Sequence, residues 1–372
     1  MKILVCTTSF QKITNGPTKF ANFLYQKCQA SSDLEVHVLT EDIPKEGIRL
    51  YKCHIGFLKK ILPVAPVYRM IKYYAKSEDL NSIYNFDYII YNNAIYGLIH
   101  AFFKNNVVGM INDYNNQKNI SSGFVFSYSF LKKSIFKYFE KKAIKHSHLI
   151  LTNSEFLTKE LKCHYPKYTR KIKRLYKGIE LKENLRKNNY HWRVEDVNSI
   201  KILFVKNDFI TGGLRILAKS LAFINLHFTV TIAGPDLKFE EEIKSYFQSP
   251  NIELNFIGRQ SQKQVFNHMA TQHIFCVPSL QEALGVANLE ALNIGIPVVS
   301  TDAGGIPEAL GYGSCGFLCK VADAVSLSDA LQACIYNFEE RNRKVLNGFK
   351  HVKKFKAEFI INNLNSILNE RV

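Results

Sequence analysis

Short apolar runs alternate along this chain with longer stretches of helical period. Lys2–Thr7 is a compact apolar run and predicts a buried strand. Residues 18–28 place Phe20, Leu24 and Cys28 on one stripe and predict a helix. The segment 34–40 (LEVHVLT) alternates and predicts a strand, as do Tyr88–Tyr91, Val107–Ile111 and Leu149–Thr152. A long helix is predicted over 124–145. The pattern then restarts. Residues 177–201 are polar, charged and poor in strand formers, and read as a linker. New strands are predicted at 202–205, Phe228–Ala233, 255–258, 273–277 and 297–300, with a helix at 214–224. Strand–helix alternation of this kind implies βαβ units and parallel sheets. Residues 341–372 read as helical throughout.

The fold class expected is therefore α/β, with two Rossmann-like doubly wound domains facing a central cleft. The boundaries are 1–178 for the first domain, 179–200 for the linker and 201–349 for the second. The final helix, about 350–372, is expected to pack back on the first domain. Sheets of this class bind ligands beyond the carboxyl ends of their strands.

A length of 372 residues suits two domains of ordinary size. Charge changes the picture more than composition does. The chain carries a net +17, but residues 1–180 hold 28 Lys and Arg against 13 Asp and Glu, a net +15. The rest is close to neutral. A basic first half fits nucleic acid, an anionic membrane surface or a phosphorylated substrate. No RNA-binding aromatic motif, zinc finger or helix-turn-helix spacing accompanies it, so nucleic acid is the weakest of the three. The eight cysteines form no CxxC pair and read as reduced thiols. His273, Cys276, Cys315 and Cys319 fit no common zinc spacing. Met1-Lys2 leads into an apolar run too short for a signal peptide, and no run of eighteen apolar residues occurs. The expected location is cytoplasmic, with peripheral contact at the inner membrane face.

The densest chemistry lies in 278–307, PSLQEALGVANLEALNIGIPVVSTDAGGIP. The strand 273–277 ends at Pro278-Ser279, a turn, which leaves Glu282 in a loop at the strand's carboxyl end. Gly285 lets backbone approach a ligand closely. A helix is expected to open near Asn288, with Glu290 in its first turn. Free N–H groups and the positive end of a helix suit a phosphate. Two carboxylates flanking such a helix start suit a nucleotide sugar, one meeting sugar hydroxyls and the other ribose hydroxyls. A lone Glu in either place reads as a solvated loop charge or a complement to the helix dipole.

Glu282 and Glu290, with seven residues between them within PSxxEALGxxNLEALxxGxPVVSTDAGGIPE, closely resemble the E-x7-E signature of retaining glycosyltransferases of family 4, which have the GT-B fold. Weaker likenesses extend along the chain. Asn15-Gly16-Pro17 stands where the family keeps a Gly-rich loop, and Gly16 is its donor-side candidate. HSHLILTNSEFLTKELK (146–162), YKGIE (176–180), TIAGPD (231–236) and NFIGR (255–259) resemble further family segments.

The resemblance implies a transferase that moves a sugar from a nucleoside diphosphate sugar to a glycan or lipid-linked acceptor, with retention, in surface polysaccharide or lipopolysaccharide biosynthesis. It implies a donor-holding second domain and an acceptor-holding first domain. It implies no metal and no cofactor besides the donor substrate. Carried over residue by residue, Glu282 contacts the donor sugar near the reacting centre and Glu290 holds the ribose. Backbone N–H groups at Leu284, Gly285 and Val286 meet sugar and phosphate, and Arg259 lies near the base or diphosphate. Preorganised donors must then meet the departing diphosphate.

Two departures stand out. The family's second domain usually opens near FVGRxxxxKG, whose Arg and Lys grip the diphosphate. Here Asn207 replaces that Arg and Gly212 that Lys. Lys206, in the same loop, is the first candidate to supply the charge. The family also often has a His after the fourth strand of the first domain. Here Gly109-Met110-Ile111-Asn112-Asp113-Tyr114 takes that place. Asn112 is a candidate for the sugar and Asp113 for the acceptor hydroxyl, and either also suits a turn cap. The missing Arg and Lys keep a second reading open, a catalytically silent subunit that binds a partner enzyme. Residues 52–76 and 132–145 mix apolar and basic positions and resemble interfacial elements.

Overall fold

The computed structural model describes residues 1–11, 16–28, 34–43, 47–56, 64–113, 128–181, 184, 186 and 191–370. The chain divides into two compact units, Met1–Gly178 with Ala357–Val372, and Ile179–Lys356.

The first unit is built on seven strands: β1 (Lys2–Thr7), β2 (Glu35–Thr40), β3 (Leu50–Lys52), β4 (Tyr88–Tyr91), β5 (Val107–Ile111), β6 (Leu149–Thr152) and β7 (Ile172–Arg174). Their order is β3-β2-β1-β4-β5-β6-β7, and every pair is parallel. Burial of both sheet faces explains the continuous apolar runs of β1, β4, β5 and β6. The helix Gly16–Cys28 lays Phe20, Leu24 and Cys28 against Ile3, Val5, Val36 and Val38. The helix Ala357–Asn369 adds Ile360, Leu364, Ile367 and Leu368 to the same core. Tyr88 Oη donates to Leu368 O at 2.7 Å.

The second unit repeats the plan with β8 (Ile200–Val205), β9 (Phe228–Ala233), β10 (Ile252–Gly258), β11 (Ile274–Val277), β12 (Val298–Thr301) and β13 (Phe317–Cys319). The order is β10-β9-β8-β11-β12-β13, again all parallel. In each sheet the order reverses at one point, between β1 and β4 and between β8 and β11. The crevice beyond the strand ends at such a reversal is the ordinary ligand position of these folds.

Several expectations need correction. Residues 341–372 are not one helix. Helix Phe338–His351 gives way to a 3₁₀ turn, Val352–Phe355, and Lys356 is extended (φ −61°, ψ 141°) before the last helix begins. The strand Val107–Ile111 is fifth in the chain because β3 precedes it. The predicted helix over 124–145 is described from Tyr128 to His146, and 124–127 lie outside the described residues. Residues 57–63 of the first interfacial candidate also lie outside them. Of the part that is described, the stretch within helix Val64–Tyr84 buries Met70 and Tyr73 and exposes Val67 and Ile71.

Residues 179–200, read as a linker, belong to the second unit. Their anchor is the single Trp of the chain. Trp192 is buried, and the fully buried Arg341 lies over its ring at 3.8 Å. His273 packs on the Trp192 ring, with 5.0 Å between the ring centres. Its Nδ1 accepts from the backbone N–H of Lys201 at 3.0 Å, so the neutral ring is the form that fits. Burial first, then the charges of Lys201 and Arg341, push the His273 pKa down to about 4. An unfolded His titrates near 6.5. The folded state therefore takes up this proton later than the unfolded chain does. Stability is expected to be intact above pH 6.5 and to fall as the pH drops from 6.5 towards 4. Thermal midpoints across that window, compared with those of His273→Asn, measure the effect. An unaltered pH slope in the variant excludes His273 as its source.

Candidate functional site

Strand β11 ends at Val277, and the chain turns through Pro278 and Ser279 into the loop that carries Glu282. Three contacts hold this loop. Leu280 N–H donates to Thr211 O at 2.8 Å, Gly305 N–H donates to Glu282 O at 3.2 Å, and Thr301 Oγ1 donates to Ser279 O at 2.6 Å. Gly305 has no alternative there, since a Cβ would stand 2.1 Å from Ala283 O.

The helix begins at Val286, two residues earlier than expected, and runs to Ile294. Gly285 precedes it with φ 85°, a left-handed conformation that glycine adopts without a Cβ penalty. No side chain caps this helix start. Glu290 is thus the fifth residue of the helix, in its second turn, and not in the first turn. It is buried at 5% exposure and accepts from Gln262 Nε2 at 2.8 Å. Gln262 opens the helix Gln262–Met269 behind the Ser261 cap. Sequence spacing gave no sign of that partnership.

Lys206 lies just past the end of β8, the strand beside β11. Its Nζ forms an ion pair with Glu282 Oε2, and both side chains are about one-quarter exposed. The structure therefore brings together Lys206, Glu282 and the Val286 helix start, including the Leu284, Gly285 and Val286 backbone. Asn207 is exposed in the same loop. Arg259 stands beyond the end of β10, with β9 and β8 between that strand and β11, and it pairs with Asp236 at 3.8 Å. It is exposed, and among the described residues no ion pair joins it to Lys206 or Glu282.

The candidates of the first unit lie at its own sheet reversal. Asn112, just past β5, is buried, and its Nδ2 donates to Asn92 O at 2.7 Å. Asn153 Nδ2 donates to Asn112 O at 3.0 Å, and Asn92 Nδ2 to Thr7 Oγ1 at 3.3 Å. A row of amides thus ties the ends of β6, β5, β4 and β1 together. Beside it lies a cavity of about 230 Å³ lined by Thr7, Asn92, Tyr96, Asn112, Asp113 and Glu140, among others. Asp113 is exposed. Gly16 is the first residue of its helix, while Asn15 and Tyr114 lie outside the described residues.

Two parallel nucleotide-type sheets, with an acidic loop and an uncapped helix start at the reversal of the second, define the class of GT-B proteins. Residues 187–351 match the family described as glycosyl transferases group 1. Protein CapJ of Staphylococcus aureus is 25% identical over 234 residues, which cover 60% of this chain and 56% of CapJ. The chain thus spans about half the length of that curated relative. Among solved structures, HepE of Anabaena in complex with UDP-glucose superposes with a TM-score of 0.73 at 17% identity, over 99% of each chain. WaaG, a glycosyltransferase involved in lipopolysaccharide biosynthesis, gives 0.73 at 16% identity, over 99% of this chain and all of that one.

Proposed function

We propose that the protein is a retaining glycosyltransferase that takes a sugar from a nucleoside diphosphate sugar and passes it to a glycan or lipid-linked acceptor. The observation that carries the reading is the Glu282 loop running into the Val286 helix start, with Lys206 and Gln262 holding the two carboxylates. Glu282 orients the donor sugar and stabilises the positive charge that develops on it. The backbone N–H groups of Leu284, Gly285 and Val286 and the Lys206 ammonium receive the departing diphosphate. Glu290, held by Gln262, takes the ribose hydroxyls. Asn112 and Asp113 belong to the acceptor side, at the cavity of the first unit. The role of WaaG and the UDP-glucose bound by HepE support a nucleotide-sugar donor and a surface-polysaccharide or lipopolysaccharide product.

An anionic membrane surface is a further proposed partner. Exposed Ile71, Phe102 and Phe103, with the exposed Lys137, Lys141 and Lys145 of helix Tyr128–His146, support peripheral contact. No described helix is long and apolar enough to cross a membrane.

A panel of uridine, guanosine and adenosine diphosphate sugars tests the reading. At least one is expected to be hydrolysed slowly, and transferred faster once an acceptor is supplied. Absence of both binding and turnover across the panel removes the transferase function and leaves the silent subunit.

A further inference from the structure

The Lys206–Glu282 pair carries the reading above one step further, because it joins the cation assigned to the diphosphate to the carboxylate assigned to the sugar. The Lys206 ammonium sits on Glu282, and both partners are fixed from behind. Lys206 N–H donates to Ala233 O at 3.1 Å, and the Gly234 position meets the Lys206 backbone so closely that a Cβ there would be 2.7 Å from its carbonyl. Glu282 is held through its own carbonyl by Gly305 N–H and through its Oε1 by Ala283 N–H at 3.3 Å.

The lysine stem has a seat of its own. The loop after β8 folds back at Asp208, whose carbonyl accepts from Gly212 N–H at 2.9 Å. A Cβ at position 212 would stand 3.0 Å from Lys206 Cγ and 2.6 Å from Phe204 Cζ. Gly212 is therefore the space that the Lys206 stem and the Phe204 ring fill. The ammonium that family likeness leads one to expect from position 212 is delivered to the loop from position 206, and no side chain at 212 fits beside it.

We propose that Lys206 and Glu282 act as a charge exchanger, in which the ammonium neutralises the carboxylate in the free protein and passes to the donor's diphosphate on binding, freeing Glu282 for the sugar hydroxyls. The proposal rests on the nucleotide-sugar reading of this site and adds to it a partner change. Its physical basis is competition. A carboxylate left alone beside an anion-binding helix start repels the incoming diphosphate. Paired with Lys206 it does not, and a diphosphate carries more charge than a carboxylate with which to win the ammonium. Lysine suits the exchange because its three N–H donors sit on a flexible stem and follow a moving partner. The consequence is that Glu282 competes with the diphosphate for Lys206.

The test is equilibrium binding, by titration calorimetry on the full chain, of UDP, GDP and ADP and of the nucleoside of whichever binds tightest. Lys206→Met is expected to weaken the diphosphate by at least about tenfold and to leave the nucleoside unchanged. Glu282→Gln is expected to tighten the diphosphate by several-fold, because a neutral amide no longer competes for the ammonium. Lys206→Met/Glu282→Gln is expected to bind no better than Lys206→Met alone. Lys206→Arg, which keeps the charge, is expected to retain most of the diphosphate affinity. Thermal melts report whether each variant is folded, and Glu282→Gln decides the matter if Lys206→Met is not. Diphosphate affinity unchanged in Lys206→Met, or not increased in Glu282→Gln, overturns the exchange and leaves the transferase reading standing. Failure of the wild-type chain to bind any of the three diphosphates overturns both.

Discussion

Replacing Glu282 by Ala is expected to lower sugar transfer by at least about 100-fold, the scale on which removal of one preorganised charge-stabilising group acts. The thermal midpoint is expected to stay within a few degrees. The two halves of this expectation have different origins. On the proposed function, transfer depends on the carboxylate, which sits on Lys206 at the mouth of the uncapped Val286 helix. The fold does not depend on it. The backbone carbonyl of residue 282 still accepts from Gly305 in the variant, and Leu280 still holds the loop to Thr211. The side chain itself is about one-quarter exposed, so its truncation opens no core cavity. Initial rates with the best donor of the panel, together with a melting curve, check both halves. Wild-type turnover in Glu282→Ala removes this residue from the reaction. A midpoint lowered by more than about 5 °C would assign it a structural part instead.

The same region shows what a sequence can carry and what it cannot. The spacing of Glu282 and Glu290, with seven residues between them, and a nearby helix start are local pattern, legible within 278–307. The partners of the two carboxylates are not. Lys206 is 76 residues from Glu282, and Gln262 is 28 from Glu290. Those pairs exist only because β8 lies beside β11 and the Gln262 helix packs on the Val286 helix. Gly285 was read as room for a ligand. Its left-handed backbone also starts the helix two residues earlier than Asn288, which moves Glu290 into the second turn.

The strands divide in the same way. Those buried on both faces, such as β1 and β5, were legible as unbroken apolar runs. The three strands that no pattern predicted, β3, β7 and β13, are each three residues long and lie at a sheet edge. An edge strand pairs on one side only and tolerates polar residues, as Leu50-Tyr51-Lys52 and Ile172-Lys173-Arg174 do. Three residues give no period to detect.

Arg341 is the residue whose local sequence points furthest from its role. Within FEERNRK it looks like one charge among several on a wet helix face, yet it is fully buried. Its guanidinium does two tasks at once. Nη1 donates to Cys334 O at 2.7 Å and to Ile335 O at 2.9 Å, so it satisfies carbonyls in the last turn of helix Ala324–Tyr336. Those carbonyls have no partner within their own helix, and a cation is favoured at that end. Nη2 donates to Trp192 O, while the flat group covers the Trp192 ring. Arg341 thereby ties residues 191–199 to the body of the second unit. Arg341→Ala removes the partner of three buried carbonyls and leaves a cavity the size of the lost side chain. The expected cost is about 3–5 kcal/mol. For a unit of this size that lowers the melting midpoint by roughly 6–20 °C. Arg341→Lys keeps the charge but has no planar fork to reach both the helix end and Trp192, so it is expected to recover only part of the loss. Trp192 fluorescence during thermal melting reads the break directly. A midpoint for Arg341→Ala within about 2 °C of wild type would show that residues 191–199 are held by something other than this guanidinium.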